Sequence, residues 1–515
     1  MSQTAVIGIN SKYSHSCLAV RYFREYAKCD IFEFTINDSI TDVFSRISSL
    51  PHEKLCFSCY IWNIEFVLKL ISMLKAVFPE KSIFLGGPEA GYNYETLIKN
   101  ENITGILYGE GEETVKMLNE NVPFYLIPNL IYKNDGKPVR NEFKKFDLEK
   151  AVFPYTEQDI KELENKIIYF ESSRGCMYNC SYCLSSSEGK TRYFPMDYVK
   201  KGLDFFINNR VPLVKFVDRT FNDLSGRCVE IAKYILENNI STKFHFEISP
   251  LTITDEFLEI CEKMGENLQF ELGIQTTNPK TMKAINRVYD TEKVKSTIAK
   301  IPKNIHIHLD LIAGLPYETT ESFLSGIDYV YKMKPDMLQL GFLKLLHNTS
   351  LKKDAEKYGI ITENFPPYET IATKFISYAD MIKLKNTEKA IDRIYNSGNF
   401  KETLNVLESE RPSKLFMFVG EKLAEKEKEG PVSRNGLYEF MFNIFGSKIK
   451  FALAKDFINA NKKSVFPEFL NEEIPDLKDR QKELFKNPLY KNKKVKLMKS
   501  CGKYFIITDD DIKIV

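Results

Sequence analysis

The sequence lacks a large net charge, a membrane-length apolar run and a disulfide framework. Lys and Arg number 72 against 70 Asp and Glu, a formal charge of +2. That balance gives no electrostatic footprint for a nucleic-acid partner, and no basic patch stands out. No apolar run approaches the ~20 residues that span a bilayer. The amino-terminal Met1-Ser-Gln-Thr-Ala-Val-Ile-Gly-Ile has neither the basic segment nor the long apolar segment of a signal peptide, so it reads as a short strand and a cytoplasmic location is expected. Ten cysteines in 515 residues are too few for a disulfide-built fold. In a reducing compartment, clustered cysteines point instead to a metal or redox site. No low-complexity tract or short repeat interrupts the chain. Its 43% apolar content suffices for sizeable cores, and its length implies two to three domains.

What is present falls into stretches of different rhythm. From residue 1 to 120, short apolar runs (Ala5–Ile9, Ile31–Phe34, Leu55–Tyr60, Ser82–Leu85, Gly105–Tyr108) alternate with helical patterns near 16–28, 39–50, 63–78, 93–100 and 111–120. Strands alternating with helices predict an α/β, doubly wound parallel sheet of Rossmann-like type, which binds ligands at the carboxyl ends of its strands. The first domain is placed at 1–125. Residues 126–166, with Pro128, Pro138, Pro154 and a charged stretch, read as a linker. A second βα series follows, with strands at Ile167–Glu171, Leu213–Asp218, Lys243–Ile248, Leu268–Ile274, Ile305–Ile312 and Met337–Phe342. Six βα units over 167–348 predict a partial, TIM-like (β/α)6 barrel with its chemistry at the strand carboxyl ends. Residues 349–515 read as a mostly helical domain, with helices near 368–385, 386–397, 399–408 and 412–428 and a hairpin around Cys501-Gly502; no motif there converts into chemistry.

The chemistry concentrates in Glu171-Ser-Ser-Arg-Gly-Cys176-Met-Tyr-Asn-Cys180-Ser-Tyr-Cys183, directly after the first barrel strand. Three thiols at spacings of four and three residues can wrap one cluster from a single loop. A cubane ordinarily takes four cysteines, and a structural zinc site needs a local fourth ligand. Here the nearest other cysteine is Cys228, and no histidine lies between His52 and His245. Three protein ligands leave one iron open to coordinate a substrate. Buried or zinc-bound cysteines are the bland alternative.

These residues resemble the radical S-adenosylmethionine (SAM) superfamily. The resemblance implies a [4Fe–4S] cluster on Cys176, Cys180 and Cys183 whose open iron binds SAM and whose electron releases a 5′-deoxyadenosyl radical, the electron coming from a flavodoxin- or ferredoxin-type donor. Family-like elements follow in order. Phe216-Val-Asp-Arg-Thr-Phe-Asn222 contains Asp218; Phe244-His-Phe-Glu-Ile-Ser-Pro250 contains Glu247, which resembles the ribose-binding carboxylate. Glu271-Leu-Gly-Ile-Gln275 precedes Arg287. His308-Leu-Asp-Leu-Ile-Ala-Gly-Leu-Pro-Tyr-Glu318 contains Asp310 and has Tyr317 where small residues are common. With Tyr182, these give the expected SAM contacts Tyr182, Asp218, Glu247, Gln275, Arg287 and Asp310. Ordinary ion pairing inside a barrel is the alternative for Glu247 and Gln275.

Upstream, Ser58-Cys-Tyr60-Ile-Trp62-Asn63, Gly86-Gly87-Pro88-Glu89 and Gly109-Glu110-Gly111-Glu112 recur at strand ends. In that order they resemble the cobalamin-binding domain of cobalamin-dependent radical SAM enzymes, over roughly 1–125. The resemblance implies cobalamin contacts from twelve of these fourteen positions, all but Cys59 and Ile61. The domain's two histidines, His15 and His52, do not sit in Asp-x-His-x-x-Gly, so a base-off cobalamin without a histidine lower ligand is expected. Tyr13 and His15, after the first strand, are candidates to face the corrin or substrate. Cys56 and Cys59, three apart, fall on opposite strand faces and do not suit a dithiol pair.

The combined resemblance implies a cobalamin-dependent radical SAM enzyme, a methyltransferase acting on an unactivated carbon. Radical rearrangement or ring formation without methyl transfer is the alternative. A tRNA methylthiotransferase would need a second cluster on three more cysteines, and Cys17, Cys29, Cys56 and Cys59 do not show its wide spacing; a non-enzymatic sensor is the third class. The substrate and the role of 349–515 are not legible.

Overall fold

The computed structural model describes residues 2–187, 189–238, 241–462, 464–490, 495–508 and 511–515. The chain divides into two compact units, one comprising 1–318 and 342–375, the other 319–341 and 376–515.

The first unit begins with a seven-stranded sheet in the order β2-β1-β3-β4-β5-β6-β7. The strands are β1 (Thr4–Asn10), β2 (Asp30–Thr35), β3 (Lys54–Ser58), β4 (Ser82–Gly86), β5 (Gly105–Leu107), β6 (Leu130–Asn134) and β7 (Lys137–Arg140). β1 to β5 pair in parallel, so each must be followed by a crossover. Those crossovers are α1 (Leu18–Ala27), α2 (Ile40–Ser48), α3 (Ile64–Val77) and the short α4 (Pro88–Tyr92), with α5 (Glu112–Asn119) after β5. Helices cover both faces, which is why every residue of β1 is buried and the strands read as continuous apolar runs. α3 shows the matching helical logic. Ile64, Val67, Leu70, Ile71 and Leu74, three and four apart, form its buried stripe,.

The linker expected at 126–166 is corrected here. β6 and β7 extend the sheet antiparallel from β5. Asp135 and Gly136 between them both have positive φ, 49° and 74°, the backbone of a two-residue hairpin turn that Asp-Gly favours. A helical turn at Glu157–Glu162 closes the segment with a capping box between Thr156 and Asp159,.

The second sheet of this unit has the parallel order β12-β11-β10-β9-β8. Its strands are β8 (Ile168–Phe170), β9 (Leu213–Phe216), β10 (Lys243–Glu247), β11 (Leu268–Gln275) and β12 (His306–Ala313). The connecting helices are Met196–Asn208, Ser225–Asn238, Asp255–Met264 and Thr291–Ala299. In β11, Leu268, Phe270, Leu272 and Ile274 are fully buried, while Gln269, Glu271, Gly273 and Gln275 are only half-buried. The apolar face packs outward on helices and the polar face lines the hollow of the barrel. Segment 342–375 belongs with this unit. Leu343, Leu345, Leu351 and Tyr358 share a core with Ile285, Leu315 and Tyr182.

The second unit contains the sixth strand, β13 (Met337–Phe342), save its last residue, and most of the carboxyl-terminal helices. The Asn396 side chain brackets the strand by hydrogen bonds with both backbone groups of Leu338. The helix expected at 368–385 starts only at Tyr378, because Ser377 caps it by accepting from the Asp380 N–H, and Thr370–Ala372 is a short strand in the other unit. The expected tail hairpin forms around Cys501-Gly502, between Lys496–Ser500 and Lys503–Ile507; Asp509 and Asp510 of that tail lie outside the described residues. Among the described residues, no helix is long and apolar enough to cross a membrane.

Candidate functional site

The three-cysteine loop leaves the carboxyl end of β8 and is held from below. Asp218, just past β9, accepts from the Ser172 N–H at 2.8 Å and from the hydroxyls of Ser172 and Ser173 at 2.6 and 2.7 Å. Burial pushes its carboxyl up to about 6 despite those donors. Asp218 was expected to touch SAM; its oxygens instead serve the loop. Gly175 has φ +93°, and a Cβ there would lie 2.9 Å from the Lys190 carbonyl, so only glycine turns the chain into Cys176.

All three cysteines are free thiols. Cys176 Sγ accepts from the Tyr178 N–H at 3.4 Å and meets the Thr220 hydroxyl at 3.6 Å. Burial raises the Cys176 thiol, and these two contacts work against the rise. Arg287 Nη1 donates to Cys180 Sγ at 3.5 Å and Nη2 to the Gly273 carbonyl at 2.6 Å. The Tyr178 and Ser249 hydroxyls are 2.6 Å apart, while the Ser249 N–H donates to Asn222 at 2.8 Å. The loop is thus tied to the ends of β9, β10 and β11. Among the described residues, no group of His, Cys, Asp or Glu converges as the ligands of a single ion would. Cubane cysteines bind separate irons, so three thiols on one loop meet a different requirement. Cys228 is no fourth ligand: it is buried on the helix Ser225–Asn238 with its thiol on the Ser225 carbonyl.

Beside the loop, the barrel hollow is lined by charge. Glu271 accepts from Lys215 and pairs with His245, both at 3.0 Å. Burial opposes ionisation, but those two partners hold the Glu271 carboxyl at about 2. Burial pushes Glu247 up, countered by Arg219, whose charge also acts on Tyr60 of the first sheet. Burial and the neighbouring Glu271 and Glu247 push Asp310 well up. His308 is pushed down to about 4, by burial first and then by His306 and His245. Three buried polar atoms facing no protein partner are Gln275 Oε1, Arg287 Nε and Asp310 Oδ1. Gln275 also has φ +69°, a left-handed backbone that costs a non-glycine residue of order 1 kcal/mol and gathers at functional sites. Orphaned polar atoms beside three thiols fit a polar ligand and a cluster at this mouth. Tyr182 lies half-buried against Ile285 and Leu315.

At the edge of the first sheet, Asn63 joins two strand ends. Its amide donates to the Ile9 and Ser58 carbonyls, both at 2.9 Å, and its oxygen accepts from the Tyr60 N–H at 2.8 Å. This bracket presents Tyr60 and Trp62, stacked 4.2 Å apart and 7° from parallel, with Trp62 45% exposed. Gly87, at φ +93°, leaves no room for a Cβ, which would come within 2.6 Å of the Cys59 carbonyl. Pro88 opens α4. An exposed, flat indole stacked on half-buried Tyr60 and next to a glycine-permitted close approach fits the edge of a large planar ligand,.

Several expected corrin-facing residues are engaged elsewhere. Glu89 is buried and accepts from the Tyr368 hydroxyl at 2.6 Å. Glu110 pairs with Arg174 and Arg192, and Glu112 with Arg174. Ser58 is buried, and the Phe143 ring lies against Gly109 as Phe23 does against Gly111. His15 Nδ1 meets the Tyr169 hydroxyl at 2.8 Å and its backbone bridges to Ile167, so it caps the first barrel strand. Tyr13 is exposed and donates to the Asn37 carbonyl at 3.1 Å. Cys56 and Cys59 fall into separate cores on the two sheet faces. Sequence reasoning missed Lys215, Arg192 and Tyr368. Inward alternation in β9 marks Lys215 after the fact, whereas the partners of the other two are distant in sequence.

Residues 5–119 match the B12 binding domain, residues 170–330 the Radical SAM superfamily, and residues 356–508 a model described as "Protein of unknown function (DUF4080)". The cobalamin-dependent radical SAM methyltransferase TokK of Streptomyces tokunonensis is 23% identical over 344 residues, 60% of this chain and 50% of TokK. A tRNA-2-methylthio-N(6)-dimethylallyladenosine synthase of Buchnera aphidicola is 24% identical over 282 residues, 51% of this chain and 60% of that enzyme. The chain spans about half the length of the curated relatives it matches. Among solved structures, the cobalamin-dependent SAM radical enzyme OxsB with aqua-cobalamin bound shares the fold, with a TM-score of 0.66 and 13% identity over 90% of this chain and 81% of OxsB. Residues 170–330 thus form a domain of the radical SAM superfamily, with a B12 binding domain ahead of it at residues 5–119.

Proposed function

We propose that the chain cleaves SAM reductively at a [4Fe–4S] cluster on Cys176, Cys180 and Cys183, and uses cobalamin to methylate an unactivated carbon of a polar substrate. The observation that carries this reading is the three-thiol loop at the mouth of a charge-lined barrel, next to the unpartnered atoms of Gln275, Arg287 and Asp310. When bound, the cluster supplies the electron that breaks a carbon–sulfur bond of SAM, and cobalamin supplies the methyl carrier.

The chain's own residues do the positioning. Arg287 donates to Cys180 Sγ and to the Gly273 carbonyl, which fixes the loop against β11. The Tyr178–Ser249–Asn222 chain of hydrogen bonds fixes the loop against β10. Glu247, Gln275 and Asp310 offer SAM its polar contacts, while Asp218 orders the loop behind them. Tyr60 and Trp62 form the platform for the corrin edge beside Gly86 and Gly87. Lys215, His245, Glu271 and His308 line the hollow, which suits a hydrophilic substrate and would be costly against a lipid tail. The free thiols suit a reducing cytoplasm, where a flavodoxin- or ferredoxin-type donor would deliver the electron.

A second cluster of the methylthiotransferase kind is disfavoured by the first sheet's cysteines. Cys59 packs in the apolar core on one face of that sheet and Cys17, Cys29 and Cys56 in the core on the other, where a cluster would have to displace close-packed side chains.

The test is anaerobic incubation of the reconstituted chain with SAM and a strong reductant. Formation of 5′-deoxyadenosine together with S-adenosylhomocysteine that requires added cobalamin is expected. Deoxyadenosine without cobalamin-dependent S-adenosylhomocysteine would move the reading to radical rearrangement. Absence of both products would overturn it.

A further inference from the structure

The Gly109-Glu110-Gly111-Glu112 loop follows β5 of the first sheet, yet its two carboxylates turn toward the cluster loop. Arg174, two residues ahead of Cys176, donates to Glu110 at 3.1 Å, Glu112 at 2.7 Å and Glu171 at 2.6 Å. Its side chain is 14% exposed, and its guanidinium carbon lies 5.5, 5.9 and 5.4 Å from the rings of Tyr22, Phe146 and Phe194. Arg192, on the ribbon strand that pairs with Ser173–Arg174, also holds Glu110 and donates to the Phe146 carbonyl at 2.8 Å. The Phe146 N–H returns to Glu110 at 2.8 Å. The three carboxylates and two guanidiniums therefore form a closed, largely desolvated network.

Such a network holds a fixed geometry. An arginine in contact with three acids and three rings has one arrangement that satisfies all of them, and water does not easily replace a lost partner. A shift of the β5 loop must move Arg174, whose backbone pairs with the Arg192 ribbon strand and leads through Gly175 directly into Cys176.

We propose that Arg174 is a positioning residue that couples the two cofactor sites, so that an ordered β5 loop favours the cluster-ready loop and a loaded cluster favours cobalamin. This rests on the proposed cobalamin site, whose Gly86-Gly87 turn ends β4 beside β5 and so adjoins the 109–112 loop. Coupling of this kind is reciprocal by thermodynamic necessity, and typical values span about 5- to 150-fold in affinity.

The test is an anaerobic optical titration of hydroxocobalamin into the full chain, with and without its reconstituted cluster. About ten-fold tighter binding by the cluster-loaded form is expected, at the lower end of usual couplings. In Glu110→Gln and, separately, Arg192→Lys, the ratio should fall below about two-fold, while far-ultraviolet circular dichroism stays unchanged. Trp62→Phe should weaken both forms alike and keep the ratio. The reciprocal readout is slower loss of iron to a chelator when cobalamin is present. Equal affinities of the wild-type forms, or a ratio preserved in Glu110→Gln, would overturn the coupling. Failure of either form to bind hydroxocobalamin would instead overturn the proposed function, and the coupling with it.

Discussion

The two parallel sheets of the first unit are built from opposite burial patterns. The amino-terminal sheet is apolar on both faces: β1 is buried along its whole length, and separate cores lie on its two sides. The barrel sheet is apolar only toward its helices and turns Lys215, His245, Glu271 and His308 inward. A sheet packed on both sides can meet a ligand only at its strand ends, where Trp62 and Gly87 lie. A half-barrel with a polar lining holds a ligand inside itself. One sheet serves as a wall for a large planar group and the other as a vessel.

Cysteines sharpen that contrast most. Cys180→Ala in the barrel loop should abolish 5′-deoxyadenosine formation and lower bound iron, read by product analysis and metal content. Cys56→Ala in the apolar wall should leave both within two-fold, as a buried thiol packs like a small hydrophobe. Loss of iron in Cys56→Ala would break the comparison.

Core truncation separates stability from turnover. Phe57, fully buried in the wall, should cost about 3–5 kcal/mol as alanine, measured by denaturant unfolding of the first unit. Lys215→Met, in the hollow, should cost less, about 1–3 kcal/mol for the partner it takes from Glu271,, and still suppress turnover, because it changes the charge lining the ligand space.

Acid should act on the vessel before the wall. His308 is held at about 4, below its ordinary 6.5, so the unfolded chain takes up that proton first as the pH falls. Stability is therefore lost between pH 6.5 and 4. Glu271, held at about 2 against an ordinary 4.5, adds a second loss from 4.5 downward. The melting temperature should fall from pH 7 to pH 4.5, and less steeply in His308→Gln; identical slopes would contradict the assignment.

The smallest effect is expected at the platform. Trp62→Ala should weaken cobalamin binding by about 1 kcal/mol, the worth of a stacked aromatic contact, without changing the melt.

Much of this was legible from local pattern. The strand alternation around β8 to β13 and the continuous apolar runs of β1 to β5 were within two residues of their observed bounds, since each follows from which faces are buried. The cysteine loop was legible because its ligands are neighbours in sequence. The Asn134-Asp-Gly-Lys137 hairpin was hidden among prolines that read as a linker, although Asp-Gly is a turn signal. The roles of Glu89, Glu110, Glu112 and His15 were not legible, because Tyr368, Arg174, Arg192 and Tyr169 reach them across long sequence separations. Tertiary partners redirected side chains that the strand-end motifs alone assigned to a ligand.

The most direct measurement is anaerobic purification with cluster reconstitution and added hydroxocobalamin, followed by metal analysis and an optical spectrum. About four irons together with about one cobalt per chain and a base-off corrin spectrum are expected. Four irons with no cobalt, even after refolding in the presence of cobalamin, would contradict the assignment of the amino-terminal sheet.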